Sequence, residues 1–138
     1  MTFTKAKREL KNYRRLLKEI ANLEEEIELL KSRATKITST LSDMPRSNYN
    51  EHRMEAVMAD LADDEKRYVD LLVKERLIKK IIDSKIDKVE KVDYNYSLLL
   101  NKRFVQGKSI LDISNEMQYS ERHTKRLINL AIVEYAKI

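Results

Sequence analysis

The residues best suited to chemistry in this sequence form a short cationic stripe near the C-terminus. At about 100° per residue of a helix, four side chains that follow Ser120 share one narrow face: Arg122, Lys125, Arg126 and Asn129. Arg pairs with guanine and Asn with adenine in the major groove of DNA, and a good pair discriminates between bases by about 1–3 kcal/mol. The stripe therefore predicts a DNA-reading helix over 120–136, with an ordinary solvated helix face as the alternative.

Two short helices joined by a tight turn are predicted to position this stripe. Ser109 is the expected N-cap of the first helix, with Asp112 in its first turn. Ser120 is the expected N-cap of the second helix, and residues 118–119 form the turn between them. The first helix has apolar residues at helical spacing: Ile110, Ile113 and Met117. The back of the second helix is also apolar: Thr124, Leu127, Ile128, Ala131 and Tyr135.

Several neighbours of the stripe are weaker candidates for DNA contact. The Ser120 hydroxyl and the adjacent amide groups suit a phosphate. Glu121 suits a helix cap more than a cytosine acceptor, and His123 suits a plain surface position more than a phosphate contact. Three flanking cations are candidates for the DNA backbone, with a solvated role as the alternative: Lys102, Arg103 and Lys108.

The composition predicts an all-α protein. Of 138 residues, 37% are charged and 42% hydrophobic, with one Gly and one Pro. So few turn formers argue against a sheet with many tight turns. The absence of Cys excludes disulfides and thiolate catalysis. No apolar run approaches the roughly 20 residues that span a bilayer, and the N-terminus has no signal-peptide core, so we expect a cytoplasmic protein without a membrane partner.

The sequence offers no pattern typical of an enzyme. His52 and His123 are far apart, without metal-ligand spacing. A single glycine cannot build a loop that cradles phosphates. Neighbouring carboxylates at 63–65 lie on a helix that we expect to be exposed, without a pocket. We therefore expect no catalytic residues, no metal and no cofactor.

Long helices are predicted before the stripe. Residues 4–42 carry apolar residues at alternating steps of three and four, typical of a coiled coil: Tyr13, Leu16, Ile20, Leu23, Ile27, Leu30, Ala34, Ile37 and Leu41. Residues 42–51 contain Pro45 and predict a loop. A second helix is expected over 52–91. An antiparallel hairpin is the simplest arrangement and a parallel intermolecular coil the alternative; either leaves apolar surface that predicts a homodimer.

The charge of +5 is concentrated at two ends of the chain. Residues 1–18 contain one acidic residue, Glu9, and a run of cations: Lys5, Lys7, Arg8, Lys11, Arg14, Arg15 and Lys18. A solvated helix face is favoured here over a second nucleic-acid contact. Near the other end, Asp93 is expected to cap a third helix through about Gln106, with Gly107 as its left-handed stop. The predicted domains are thus a helical region, 1–91, and a C-terminal three-helix region, 92–138.

The C-terminal region resembles region four of bacterial sigma factors, and more closely phage and prophage transcription regulators of the ArpU/RinA type. The resemblance is carried by Arg103-Phe104 before Gly107, by 109–113, and by 119–122 leading to Arg126-Leu127. The phrase ATKITSTLSDMP, residues 34–45, is also similar to a phrase of those regulators. This implies a sigma-like helix-turn-helix that regulates transcription by binding specific double-stranded DNA and contacting RNA polymerase.

The chain departs from that pattern at two positions. Gln118 occupies the turn where such motifs commonly have glycine, and a left-handed conformation costs a non-glycine residue on the order of 1 kcal/mol. Thr124 replaces an aliphatic core residue, which predicts a weaker core there. Two other functions stay open: a small DNA-packaging (terminase) subunit, which usually has its DNA-binding part at the N-terminus, and a helical adaptor that binds proteins without touching DNA.

Overall fold

The computed structural model describes the backbone of residues 1–43 and 48–138, and the side chains of 1–38 and 51–138. The described chain is helical, without a strand, so the all-α prediction is confirmed. The elements are α1 (Phe3–Asp43), α2 (Asn48–Val92), α3 (Tyr94–Leu100), α4 (Ile110–Met117) and α5 (Glu121–Ala136). None of the helices in the described part is long and apolar enough to cross a membrane.

Along the sequence, α1 ends later and α2 begins earlier than predicted. The first ends at Asp43 and the second begins at Asn48, so residues 42, 43 and 48–51 are helical rather than loop. Polar residues such as Asn and Glu also suit the first turn of a helix, where Glu51 lies, and this is why their clustering was misleading. The rest of the predicted loop, including Pro45, lies outside the described residues.

One compact unit combines residues 1–17 with residues 75–138. Its core is built by the start of α1, the end of α2 and the three C-terminal helices: Ala6, Leu10, Tyr13, Ile82, Ile86, Val89, Leu99, Leu100, Phe104, Ile113, Ile128, Ala131, Ile132, Tyr135 and Ala136. The boundary between a helical region, 1–91, and a C-terminal region, 92–138, stays a prediction about which part of the chain has which function. In terms of packing, the C-terminal helices share their core with the ends of both long helices.

Partly buried polar contacts fix the register of this unit. The Tyr13 hydroxyl donates to Glu75 at 2.8 Å, and the Lys85 ammonium donates to Glu9 at 3.0 Å. The contacts therefore join higher residue numbers of α1 to lower residue numbers of α2, which means that these two segments run antiparallel. The Tyr135 hydroxyl also donates to Glu9, at 2.9 Å, which ties α5 to α1. Burial, and then the hydrogen bond to a carboxylate, raises the pKa of both tyrosines.

The second compact unit comprises residues 18–74. Its α1 segment buries most of the predicted seam: Ile20, Leu23, Ile27, Leu30 and Ile37. Ala34 is half-buried, and the side chain of Leu41 lies outside the described residues. The α2 segment also carries apolar residues at helical spacing, and five of them are only half-buried: Met54, Val57, Leu61, Tyr68 and Leu71. Four large apolar residues of the same segment are exposed, namely Met58, Val69, Leu72 and Val73. The heptad periodicity thus predicted which face of α1 is buried, while α2 keeps apolar surface in contact with solvent.

The third helix begins and ends as the sequence predicted. The Asp93 side chain accepts a hydrogen bond from the Asn95 amide at 2.9 Å, and the helix continues beyond Leu100 as one wider π turn, Asn101–Val105. Gly107 then adopts a left-handed conformation with φ of 75°. Glycine populates this region without a steric penalty, and it lets the chain turn into α4.

Candidate nucleic-acid interface

Both caps predicted for the helix pair α4 and α5 are present. The Ser109 hydroxyl accepts from the Asp112 amide, and the Ser120 hydroxyl accepts from the His123 amide, each at 3.1 Å. Each serine satisfies one of the amide groups that a helix start leaves without an intrahelical partner. The caps therefore fix where α5 begins, and with it the position of the cationic stripe.

The turn between α4 and α5 is tight although it contains no glycine. Gln118 lies in the left-handed region, with φ of 59° and ψ of 39°. The amides of Gln118 and Tyr119 both donate to the Ser114 carbonyl, the latter at 3.0 Å. This is the pattern of a left-handed helix C-cap. The replacement of glycine by Gln118 thus leaves the turn geometry intact.

The back of α5 is buried as predicted, and its buried surface is wider. Thr124, Ile128, Ala131 and Tyr135 are buried, and Leu127 is half-buried. The Thr124 hydroxyl donates to the Ser120 carbonyl at 2.9 Å, so its polar group is satisfied inside the core. Ile132 and Ala136 are also buried, although the sequence did not predict it. They lie two turns beyond Lys125 and Asn129 on the same side of α5, so the side that is cationic in the first half of the helix is apolar and buried in the second half.

The front of α5 exposes the whole predicted stripe: Arg122, Lys125, Arg126 and Asn129. Within the described part of the chain, the side chains of Arg122 and Lys125 form no ion pair and no hydrogen bond. Arg126 donates to the His123 ring at 3.1 Å. Glu121 is exposed in the first turn, beside the Ser120 cap. The structure thus gathers seven predicted residues, Ser120 to Asn129, at the N-terminal half of one helix, with cations available to a ligand.

His123 has contacts on two sides within the protein. The Tyr119 ring meets its imidazole edge-on, with centroids 4.9 Å apart. Its Nδ1 atom accepts from Arg126, and the side chain is half-buried. The sequence favoured a plain surface position for His123, and the structure adds contacts with the Tyr119 ring and the Arg126 guanidinium that the sequence did not predict.

The flanking cations are engaged with the protein. Lys102 and Lys108 both donate to Glu116, at 2.6 and 2.5 Å, and Arg103 donates to the Lys108 carbonyl at 3.0 Å. Hydrogen bonds from Lys102 and then Lys108 lower the pKa of Glu116. Neither of the two sequence alternatives, a DNA-backbone contact or free solvation, included this carboxylate. No local periodicity links Glu116 to these lysines, so the cluster could not be predicted from the sequence.

An acidic groove in the second unit corrects one expectation. A cavity of about 500 Å³ is lined by both long helices, with Asp60, Asp63 and Asp64 on one side. Asp64 is paired with Arg67 at 3.9 Å. The carboxylates of this segment therefore do border a pocket, because α1 packs beside them. Ion pairing with a neighbouring arginine is an ordinary structural role for such a group.

Comparisons of the chain with protein families, with curated proteins and with solved structures find no match. The interpretation of the α4–α5 pair consequently depends on its geometry and on the residues that its surface presents.

Proposed function

We propose that the protein is a transcriptional regulator of phage or prophage genes that binds double-stranded DNA. In this proposal α4, the turn at Gln118 and α5 form a sigma-like helix-turn-helix, and α5 enters the major groove. One observation carries it: α5 buries its apolar back while exposing Arg122, Lys125, Arg126 and Asn129 on its front. An exposed cationic and amide stripe on a rigid, capped helix is what base-edge recognition requires.

The residues of the stripe have distinct proposed roles. Arg122, Lys125 and Arg126 contact base edges or phosphates from the first turns of α5. Asn129 lies one turn further along and reads adenine or reaches a phosphate. The Ser120 end of the helix holds a phosphate, because helix N-termini attract anions. The resemblance to sigma region four extends the proposal to a contact with RNA polymerase.

The long helices have a proposed role in assembly. We infer that residues 1–91 form an antiparallel hairpin that pairs with a second copy of the chain. The support is apolar surface on α2 that the single chain leaves exposed at Val69, Leu72 and Val73. A dimer presents two DNA-reading helices, as half-sites require. Light scattering tests this: a dimer is expected, whereas a monomer refutes the pairing and a closed ring of many subunits favours DNA packaging.

Binding to duplex DNA tests the central proposal. We expect the protein to bind promoter-containing duplex at ~50 mM salt, and the affinity to fall steeply as salt rises. Lys125→Ala with Arg126→Ala should weaken this binding. Arg76→Ala with Lys79→Ala is a matched control, because it removes the same charges from exposed positions of α2.

Two results would contradict the proposal. The first is no duplex binding at low salt, which favours a protein–protein adaptor. The second is a Lys125/Arg126 variant that binds as tightly as the α2 control while keeping its helical circular dichroism.

A further inference from the structure

A second cationic face lies on α1, within the unit formed by residues 1–17 and 75–138. Lys7, Lys11 and Arg14 follow one another at steps of four and three, which places them on one side of the helix. That side is about a quarter turn from the buried residues Ala6, Leu10 and Tyr13. Lys11 is exposed, and Lys7 and Arg14 are half-exposed. This face is called the α1 flank below.

The cations of the α1 flank are not neutralised by carboxylates of the described chain. Glu9, the one acidic residue in this part of α1, turns to the core and bonds Lys85 and Tyr135 instead. The Lys7 ammonium lies over the Phe3 ring, 5.8 Å from its centroid, a contact that leaves its charge intact. The flank therefore presents unneutralised positive charge to solvent.

The Arg14 guanidinium lies directly beside Gly107. It occupies the space that a Cβ atom on Gly107 would need. Gly107 is the only glycine of the chain, and its lack of a side chain permits both its left-handed φ of 75° and this close approach. Arg14 is thus positioned against the connection that leads into α4.

This position matters because of what the start of α4 does in a helix-turn-helix. Gly107 lies two residues before Ser109, the N-cap of α4. The first helix of such a motif crosses the DNA backbone. The other cations of the connection are occupied, Lys102 and Lys108 by Glu116. Arg14 therefore supplies positive charge beside the N-terminal end of α4, in a motif whose first helix crosses the DNA backbone.

We propose that the α1 flank binds phosphates of the same duplex whose groove α5 reads, with Arg14 as its anchor. The inference rests on the proposed function of α5. A guanidinium binds a phosphate through two parallel hydrogen bonds. From Lys7 to Arg14 the helix rises by roughly 10 Å, about three base-pair steps of duplex. The flank thus extends the contact along the backbone, where it adds affinity without reading sequence.

The salt dependence of DNA binding tests the flank. The test variant is Lys11→Gln with Arg14→Gln, and the control is Arg8→Gln with Arg15→Gln, on the outer face of α1 away from the core. Both variants remove two charges from one helix. Each phosphate contact contributes about 0.9 to the steepness of log affinity against log salt concentration. The magnitude of this slope should therefore be smaller by about two in the test variant than in wild type. The control should keep the wild-type slope, and both should keep the preference for promoter over scrambled duplex.

The possible outcomes separate the flank from the proposed function. If wild type binds no duplex, both proposals fail. If wild type binds and the Lys125/Arg126 variant is weakened, but the flank variant matches its control, only the flank is refuted. An equal loss in flank variant and control also refutes it, because general charge attraction then explains the effect. Circular dichroism of each variant shows whether the helices are retained.

Discussion

Replacing Gln118 by glycine should stabilise the protein. Gln118 has a left-handed φ of 59° and an exposed side chain. An L-residue pays about 1–2 kcal/mol for this conformation, which glycine does not. Glycine in turn gives the unfolded chain more freedom, worth about 0.5–1 kcal/mol. The difference predicts that Gln118→Gly raises the free energy of unfolding by about 0.5–1 kcal/mol.

Urea and thermal unfolding followed by circular dichroism measure this change. For a chain of this size we expect the Tm to rise by about 2–4 °C. The urea midpoint should rise without a change in m-value, because the surface exposed on unfolding stays the same. Gln118→Ala is the control: it also removes the side chain but keeps the left-handed penalty, so it should show no gain.

One result would refute this reasoning. If the glycine variant is no more stable than the alanine variant, the strain attributed to Gln118 is absent or offset by an interaction of its side chain. A gain in the alanine variant equal to that in the glycine variant would likewise show that backbone conformation is not the cause.

Three further predictions concern other residues. Gly107→Ala should lower the free energy of unfolding by about 0.5–1 kcal/mol, because the strain of alanine at φ of 75° exceeds the stabilisation that comes from a less flexible unfolded chain; urea unfolding measures this, and a neutral variant would contradict it. Glu116→Gln should free its two paired lysines and steepen the salt dependence of DNA binding by up to about two in slope; an unchanged slope would show that neither lysine reaches phosphate. The raised pKa of Tyr13 and of Tyr135 predicts stability that is complete below about pH 10 and declines as unfolded tyrosines ionise above it. Replacing both tyrosines by Phe should flatten the decline of the free energy of unfolding with pH, measured by urea unfolding at a series of pH values. An unaltered decline would show that other groups cause it.

Features that depend on neighbouring residues were predictable from the sequence. The caps at Ser109 and Ser120 and the left-handed Gly107 follow from the chemistry of a few adjacent residues. The buried back of α5 follows from helical periodicity around Ile128. Its exposed front was also predicted, whereas its contact with DNA stays a prediction.

Features that join distant parts of the chain were not predictable in this way. The Glu116 cluster and the contact of Arg14 with Gly107 depend on packing that brings separate elements together. The π turn before Gly107 has no composition signal that distinguishes it from an α-helical turn. Polar residues near 48–51 suited both a loop and a helix start, and local reasoning could not decide between them.

The bond between Tyr135 and Glu9 has a consequence for synthesis of the chain. It joins residues separated by 126 positions, so the unit that contains it needs both α1 and α5 to form. During translation that unit cannot complete its core until α5 has left the ribosome. Residues 18–74 are contiguous and can pair earlier. The α1 residues Ala6, Leu10 and Tyr13 therefore stay uncovered by their C-terminal partners until α5 has been synthesised.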